Sequence, residues 1–345
     1  MNGEPPCRLP PGPRAFAIGW IGVTHVCKHW RQVALDEPWL WTDVTPDMGR
    51  RWTWEFITRA GQMPLGIYGE REARLLPVLV ASGHLSHTQA LAICCDDRRL
   101  LRIVRSLITV AAPVLESLAL GSTRALGETA IPILEDFLAV YAPRLRTAVF
   151  VGLWIPWSSP IIRNLTKLHV SIDCETFDGD HIQCPTPPSE LFDALANMPY
   201  LEDLAVSYAI PPFQSRPAEP QRQRGSIVLR HLSHLKLQGP YLDVPVVLDV
   251  IQFSALTVLE LEFYAGDSRT LRALCPPLGR YSDMPLGVEP NIRLYMFAIG
   301  SSGRYWIYSR HPAAEPLLGS GSGVADGRCA RRASRRELGY PGDFA

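Results

Sequence analysis

The chain has 345 residues, of which 47% are hydrophobic and 20% charged, a balance typical of a folded globular protein of about two domains. Its 34 basic and 34 acidic side chains cancel, and no apolar run reaches membrane-spanning length, so we expect neither nucleic acid nor a membrane as a partner. The eight cysteines form no C-x-x-C pair and no signal segment opens the chain, which predicts reduced thiols and a cytoplasmic and/or nuclear location.

Residues 1–15 are predicted to form a flexible arm, because closely spaced prolines preclude a stable helix there. The most strongly patterned stretch follows, where apolar residues recur at steps of three and four from Trp20 to Ala34. This spacing predicts one amphipathic helix with a buried face. The sequence Asp36-Glu37-Pro38 ends that helix, and an apolar plug of Trp39, Leu40 and Trp41 comes next.

The run from Val26 to Ala34, the turn at Pro38 and the pair Leu40-Trp41 resemble the second half of an F-box, in the F-box-like form of large fungal families. The stretch from Trp54 to Leu65 is similar to the helix and following strand of that family, so the resemblance covers residues 16–68. It implies insertion into the Skp-type adaptor of a cullin-RING ubiquitin ligase. The positions that match the adaptor-facing and core pattern are Val26, Cys27, Trp30, Val33, Leu35, Leu40 and Trp41. On spacing alone, the alternative is a buried helix of an unrelated helical domain.

The N-terminal part of the box departs from the family, in which a Leu-Pro pair precedes a further amphipathic helix. Here Leu9-Pro10 is present, but the helix is reduced to residues 14–18. We therefore expect an incomplete box, or a sequence that lacks a coding exon. A leucine-rich scaffold with a vestigial box and no ligase role is the alternative.

A second pattern, L-x-x-L-x-L with substitutions, recurs within residues 75–275 at irregular intervals near those of leucine-rich repeats. The copies begin at Thr88, Leu115, Leu145, Leu165, Leu201, Leu232 and Leu256. Three copies carry a proline two residues before the first leucine, and helical patterns at 103–108, 134–141 and 191–195 precede these prolines, with another at 246–253. The alternation predicts an α/β fold, in which parallel strands and helices form an irregular leucine-rich-repeat solenoid. The alternative is an ordinary open α/β sheet.

The two-residue period of a strand places Leu118, Leu120 and their equivalents in the core and the residues between them on a concave face. That face grows more polar toward its C-terminal end, and mixed charge suits recognition of an unknown protein substrate. The candidate substrate-binding residues are Lys167, His169, Asp203, His234, Lys236, Glu260 and Glu262. For any single one, the alternative is a solvated position without a ligand.

Long polar loops are predicted at 173–188 and 211–225. Such loops serve either as binding elements or as disordered spacers, and both alternatives stay open. Residues 276–312 contain two strand patterns around a Gly-Ser-Ser-Gly turn, which predict a hairpin that caps the repeats. Residues 313–345 have the composition of a disordered basic tail.

No phosphate-binding loop, zinc-protease helix or nucleophile elbow is present in the sequence. The histidine pairs His25/His29 and His84/His87 have no third ligand at a recognisable spacing. We therefore expect a non-enzymatic interaction protein without a cofactor. An unrecognised hydrolase or transferase stays open as an alternative, and it predicts a pocket of clustered acid, base or nucleophile at the strand ends.

Overall fold

A computed structural model describes residues 15–69, 83–108, 110–122, 131–133, 137–138, 142–172, 186–211, 213, 226–240, 243–253, 258–265, 292–300 and 303–310. At 15–19, at 240, at 262–265 and from 292 onward it describes the backbone alone. The chain divides into two compact units, Met1–Pro211 and Pro212–Ala345, and the division falls at the start of the predicted loop at 211–225. The predicted arm, most of both predicted loops and the predicted tail lie outside the described residues.

The first unit begins with short helices that are linked by tight turns. These are a 3-10 helix (Ala15–His25), α1 (Lys28–Asp36), 3-10 helices at Pro38–Trp41 and Pro46–Met48, and α2 (Arg50–Ala60). The prediction of one continuous helix from Trp20 to Asp36 is wrong, because the backbone turns extended at Cys27. The Cys27 sulfur there accepts the Trp30 amide at 3.5 Å, while the Arg31 side chain rather than a backbone amide bonds the Thr24 carbonyl at 2.8 Å. These contacts begin a new helix at Lys28.

The rest of the first unit is built around parallel strands. In chain order its strands are β1 (Asp43–Val44), β2 (Leu65–Gly69), β3 (Thr88–Cys95), β4 (Ser117–Ser122), β5 (Ile131–Pro132), β6 (Thr147–Val151), β7 (Leu153–Trp154), β8 (Lys167–Ser171) and β9 (Asp203–Ser207). A parallel sheet runs β1-β2-β3-β4-β6-β8-β9, and β5 pairs with β7 beside it. Helix α3 (Asp97–Leu107) follows β3, and α4 (Pro188–Ala196) precedes β9.

The second unit also has a mostly parallel sheet. Its elements are β10 (Ile227–Leu229), β11 (His234–Pro240), α5 (Val244–Val250), β12 (Ile251–Phe253), β13 (Val258–Ala265), β14 (Ile292–Gly300) and β15 (Gly303–Arg310). Strands β11, β13 and β14 pair in parallel, β15 returns antiparallel to β14, and β10 pairs with β12. The predicted hairpin is confirmed in β14 and β15.

The protein is therefore a mixed α/β protein with a large, mostly parallel sheet and helices, as predicted. Each copy of the leucine pattern coincides with a strand, and the helices predicted at 103–108 and 191–195 are α3 and α4. The helix predicted at 246–253 is partly wrong, because α5 ends at Val250 and residues 251–253 pair with β10 instead. Of the helix predicted at 134–141, only 137–138 are described, and they lie in a turn.

One turn recurs immediately before the strands. Its fourth residue is the first leucine of the pattern, and the amide of that leucine donates to the carbonyl three residues earlier. These bonds are Leu115 to Ala112 (3.1 Å), Leu145 to Ala142 (3.2 Å), Leu165 to Ile162 (3.3 Å), Leu201 to Met198 (3.2 Å) and, in the second unit, Leu232 to Leu229 (3.3 Å). The first and last residues of each turn are buried, so the two middle residues form an outward tip.

The predicted alternation of the strand interiors is confirmed in β8, but it is wrong in β4 and β6, where Ala119 and Val149 on the predicted exposed face are buried as well. Leu118, Leu120, Leu168 and Val170 are at most 1% exposed and form the core under the sheet. Within the described ranges no helix is long and apolar enough to cross a bilayer.

Candidate protein-binding surfaces

Helix α1 turns an apolar face toward solvent. Val26 is 70% exposed, Trp30 53% and Val33 49%, and Trp39 in the following turn is 63% exposed. Trp30 and Val33 are three positions apart and lie on one side of α1, whereas Val26 lies in the turn just before the helix; we call these three exposed residues the apolar patch. Their predicted burial within the chain is therefore wrong. Because the neighbouring α1 residues Lys28, His29, Gln32 and Asp36 are also exposed, the apolar patch has a polar rim.

An aromatic cluster joins the first 3-10 helix, the 3-10 helix at Pro38–Trp41 and α2. Trp41 is 3% exposed, and its ring meets Trp20 at 4.8 Å and Phe56 at 5.0 Å between centroids, both edge to face. The Arg59 guanidinium lies 4.8 Å above the Trp41 ring. This cluster therefore links the two 3-10 helices that flank α1 to α2.

The C-terminal carbonyls of α1 are satisfied by side chains. Pro38 has no N–H to donate to the Ala34 carbonyl, and the Trp41 indole Nε1–H donates to it instead at 2.9 Å. The Arg59 guanidinium likewise donates to the Leu35 carbonyl at 3.3 Å. The Pro-x-Leu-Trp sequence thus ends the helix and caps it.

The predicted adaptor positions therefore fall into two groups. Val26, Cys27, Trp30 and Val33 are exposed, whereas Leu35 and Leu40 are half-buried and Trp41 is a core residue. Leu35 and Trp41 also line an open cleft of about 460 Å³ between the first 3-10 helix, α1 and α2, together with the charged side chains of Arg31, Arg51 and Glu55.

On the sheet of the first unit, the structure brings together three predicted substrate-binding residues. Lys167 on β8 lies directly opposite Asp203 on β9. The His169 ring nitrogen Nε2 is 3.0 Å from Asp203 Oδ1, at an angle that does not make a hydrogen bond, so the contact is an ion pair when the ring is protonated. On the strands toward β4, the same face carries small, sheltered residues such as Ala119 and Val149, each at most 5% exposed.

The other predicted substrate-binding residues belong to the second unit. Lys236 on β11 lies opposite Glu260 on β13, and both are partly exposed. His234 is exposed, and its Nδ1 is 3.0 Å from the Ser233 hydroxyl. Glu262 lies in β13, but its side chain is outside the described residues.

The side chains of His84 and His87 are in direct contact, which their spacing in the sequence alone did not indicate. His84 Nδ1 lies 3.2 Å from His87 Nε2, and His87 Nδ1 donates to the Met63 carbonyl at 3.0 Å. Burial, and then the charge of His87, lower the pKa of His84 below its ordinary value. Within the described ranges, no group of three or more histidine, cysteine or acidic side chains could hold a metal ion.

At the carboxyl end of β4, the Ser122 hydroxyl donates to a carboxylate oxygen of Asp97, the first residue of α3. Ser122 is 2% exposed, so a substrate has no access to its hydroxyl in this conformation. The pair instead ties the end of β4 to the start of α3.

The row of turn tips in the first unit was not predicted from the sequence. Three exposed side chains occupy neighbouring tips, namely Arg144, Arg163 and Tyr200, and Tyr200 is 65% exposed. The Pro-x-Leu signal located two of these turns, but only the strand register shows that the tips are neighbours.

No family model, curated protein or solved structure matches this chain.

Proposed function

We propose that this protein is a substrate-recognition subunit of a Skp-cullin-type ubiquitin ligase. In this proposal, the box-like segment 16–68 binds the adaptor, and the repeats of residues 75–275 form an irregular leucine-rich-repeat solenoid that binds the target protein. The protein contributes no chemistry of its own. It raises the effective concentration of the target near the charged ubiquitin carrier.

The observation that carries the proposal is the apolar patch on α1. Exposing Trp30 and Val33 on one helix face, with Val26 in the turn before the helix, costs solvation free energy, and such an exposed apolar group on a folded protein commonly marks a binding site. Its composition supports a protein partner, because an exposed tryptophan flanked by valines and ringed by polar groups is the anatomy of an interface centre.

The repeat part of the proposal is supported by the recurrence of a single unit. The turn, its buried leucine and the strand succeed one another from β4 to β9, and neighbouring strands follow chain order. The carbonyls of Glu116, Arg146 and Thr166 each accept two successive amides from the next strand, at 2.7 to 3.1 Å. Each unit can bury its leucines only against its neighbours, as in a solenoid.

The test is co-expression of the full chain with a Skp-type adaptor, followed by co-purification of wild type and Trp30→Ala. Tryptophans at interface centres contribute about 2 kcal/mol or more, so we expect the substitution to weaken binding by about thirtyfold. Trp30 is half exposed in the free protein, and its loss should leave the fold intact. Tyr200→Ala is the matched control, because it removes an exposed aromatic side chain, at least as accessible as Trp30, outside the box-like segment.

Stable association that Trp30→Ala weakens and Tyr200→Ala preserves would support the receptor proposal. Absence of association with a well-folded full chain would contradict it and favour the alternative, a leucine-rich-repeat interaction scaffold with a vestigial box. The burial of Trp41 and the partial burial of Leu35 and Leu40 favour this alternative, since they reduce the exposure of three of the family positions.

A further inference from the structure

The repeated turn aligns side chains on neighbouring strands of the first unit. Strand β6 pairs with β8 so that Thr147 faces Lys167, and β8 pairs with β9 so that Lys167 faces Asp203. The same offsets place Arg144 beside Asn164 and Asn164 beside Tyr200 at the tips. Adjacent strands lie about 4.8 Å apart, so these tips form a continuous row.

The row is locally basic although the whole chain is neutral. Arg144, Arg146 and Arg163 are all exposed and come from two adjacent repeats. Arg146 donates to the backbone carbonyls of Leu145 and Asn164, at 3.2 and 3.3 Å, which fixes its position without cancelling its charge. Among the described residues, Arg144 and Arg163 form no ion pair or hydrogen bond through their side chains.

The basic zone is narrow. Glu116 precedes the strand on the β4 side and Glu202 the strand on the β9 side, and both are exposed. Positive charge is therefore confined to the two central repeats, a width of about 5–10 Å. An extended peptide advances about 3.3 Å per residue, so two to four residues cross this zone. A long polyanion such as nucleic acid would meet the flanking carboxylates as it continued.

We propose that the row of turn tips around Arg144, Arg146, Arg163 and Tyr200 binds a short acidic segment of a partner protein through its aspartate or glutamate side chains. The three guanidinium groups supply planar, paired N–H donors that match carboxylates. Tyr200, with 65% of its surface exposed, supplies a rigid aromatic contact beside them. This proposal specifies the chemical character of the target that the repeats would hold, and in that respect it rests on the proposed function. Binding of the acidic segment itself does not depend on the adaptor.

The experiment uses the full chain and a fluorescein-labelled peptide, Gly-Glu-Glu-Glu-Glu-Gly, whose binding is followed by fluorescence anisotropy. A peptide with glutamine in place of glutamate is the uncharged control. Each exposed ion pair accounts for up to about fivefold in affinity, and charge reversal adds repulsion, so the double variant Arg144→Glu/Arg163→Glu should weaken binding by about tenfold. The double variant Arg98→Glu/Arg102→Glu is the matched control. It changes net charge equally at two exposed sites on α3, and it should bind within about twofold of wild type.

The proposal is overturned if the peptide shows no saturable binding, or if both double variants weaken it equally, since that pattern would indicate non-specific attraction. Tighter binding of a twelve-nucleotide single-stranded DNA through the same arginines would also overturn it in favour of nucleic acid. If circular dichroism shows that the glutamate variant is unfolded, Arg144→Gln/Arg163→Gln replaces it, with an expected loss of about fivefold. Adaptor co-purification with the same variants separates the two proposals, because the tips and the apolar patch lie in different segments.

Discussion

Two buried tryptophans of the first unit differ in a single hydrogen bond. The indole of Trp41 donates to the Ala34 carbonyl, which Pro38 leaves without a backbone donor. The indole nitrogen of Trp157 is buried and has no hydrogen-bond partner among the residues that the structure describes, and the residue is only 2% exposed. An unsatisfied buried N–H costs about 1–3 kcal/mol. Trp157 therefore fills space in the core but carries this desolvation cost, whereas Trp41 both fills space and caps a helix.

Phenylalanine at each position measures this difference. Both substitutions remove a similar volume. Trp41→Phe also leaves the Ala34 carbonyl without its side-chain donor, while Trp157→Phe removes an N–H that has no partner among the described residues. We expect Trp41→Phe to lower the free energy of unfolding by about 1–2 kcal/mol more than Trp157→Phe. Urea unfolding followed by circular dichroism tests this, and equal losses would show that the indole cap contributes nothing.

His84 and His87 predict a pH dependence of stability. His87 donates to the Met63 carbonyl through Nδ1, and its Nε2 faces His84 Nδ1 at 3.2 Å, so the contact is lost only when both rings are protonated and two N–H groups face each other. The pKa of His84 is lowered in the folded protein by burial and then by His87, so the unfolded chain binds more protons just below pH 6.5. The stability contribution is complete above about 6.5 and is lost as the pH falls through the lower folded-state pKa.

The corresponding measurement compares wild type with His84→Gln between pH 5 and 8. We expect the thermal midpoint of wild type to fall more steeply below pH 6.5 than that of the variant. His29→Gln, which removes an exposed histidine of α1, should leave the wild-type slope unchanged. Parallel curves for wild type and His84→Gln would show that the pair does not govern acid stability.

At the scale of elements, the same turn is built from different residues. Proline occupies its second position at 113, 143 and 199, whereas Arg163 and Arg230 stand at the equivalent places. The surroundings of these two arginines differ. The Arg163 amide donates to the Pro160 carbonyl at 3.3 Å, whereas the Arg230 amide donates no such bond within the described part of the chain. Leu229 before Arg230 is already in a strand, the conformation that proline favours in its predecessor.

Proline substitution should therefore have opposite signs at the two turns. Arg230→Pro is expected to raise the free energy of unfolding by about 0.4–1 kcal/mol, because it restricts the unfolded chain without loss of a native bond. Arg163→Pro is expected to lower it, because it removes the amide donor and constrains Ile162 within its 3-10 helix. Chemical denaturation of the two variants supplies the comparison. A shared sign would contradict the assignment of the turns.

At the scale of the molecule, the box-like segment and the sheet of the first unit share one hydrogen-bonded ladder. Strand β1 pairs with β2, and β2 pairs with β3 beyond the segment. Leu65 and Ile67 on β2 are fully buried, so their burial depends on strands that lie beyond residue 68. The segment is thus part of a larger folding unit.

Truncation should reveal this dependence. A fragment of residues 1–75 retains the helices but loses β3, and we expect it to lack cooperative thermal unfolding by circular dichroism. A fragment of residues 1–211, which ends at the boundary of the first unit, should unfold cooperatively. A cooperative transition in the shorter fragment would show that the box-like segment folds by itself. The adaptor experiment accordingly uses the full chain.

The sequence by itself determined the parallel strands that carry the leucine pattern and two of the helices between them, α3 and α4. The leucine period is local and strong, because a strand buries alternate residues and proline stops the preceding helix wherever it occurs. The copies from Thr88 to Leu256 therefore located their strands despite irregular spacing. Where no proline interrupts the pattern, as at 246–253, sequence could not tell a continuing helix from α5 followed by β12, since both bury β-branched residues.

Only the tertiary structure decided which apolar residues of the box-like segment face inward. Trp30 and Trp41 have the same chemistry and both fit a hydrophobic pattern, yet one is 53% exposed and the other 3%. Their difference arises because Trp41 packs in the aromatic cluster with Phe56 and its indole N–H donates to the Ala34 carbonyl. Trp30 makes neither of these two contacts. The row of arginine and tyrosine tips has the same origin, because residues 20 to 36 positions apart become neighbours through strand register alone.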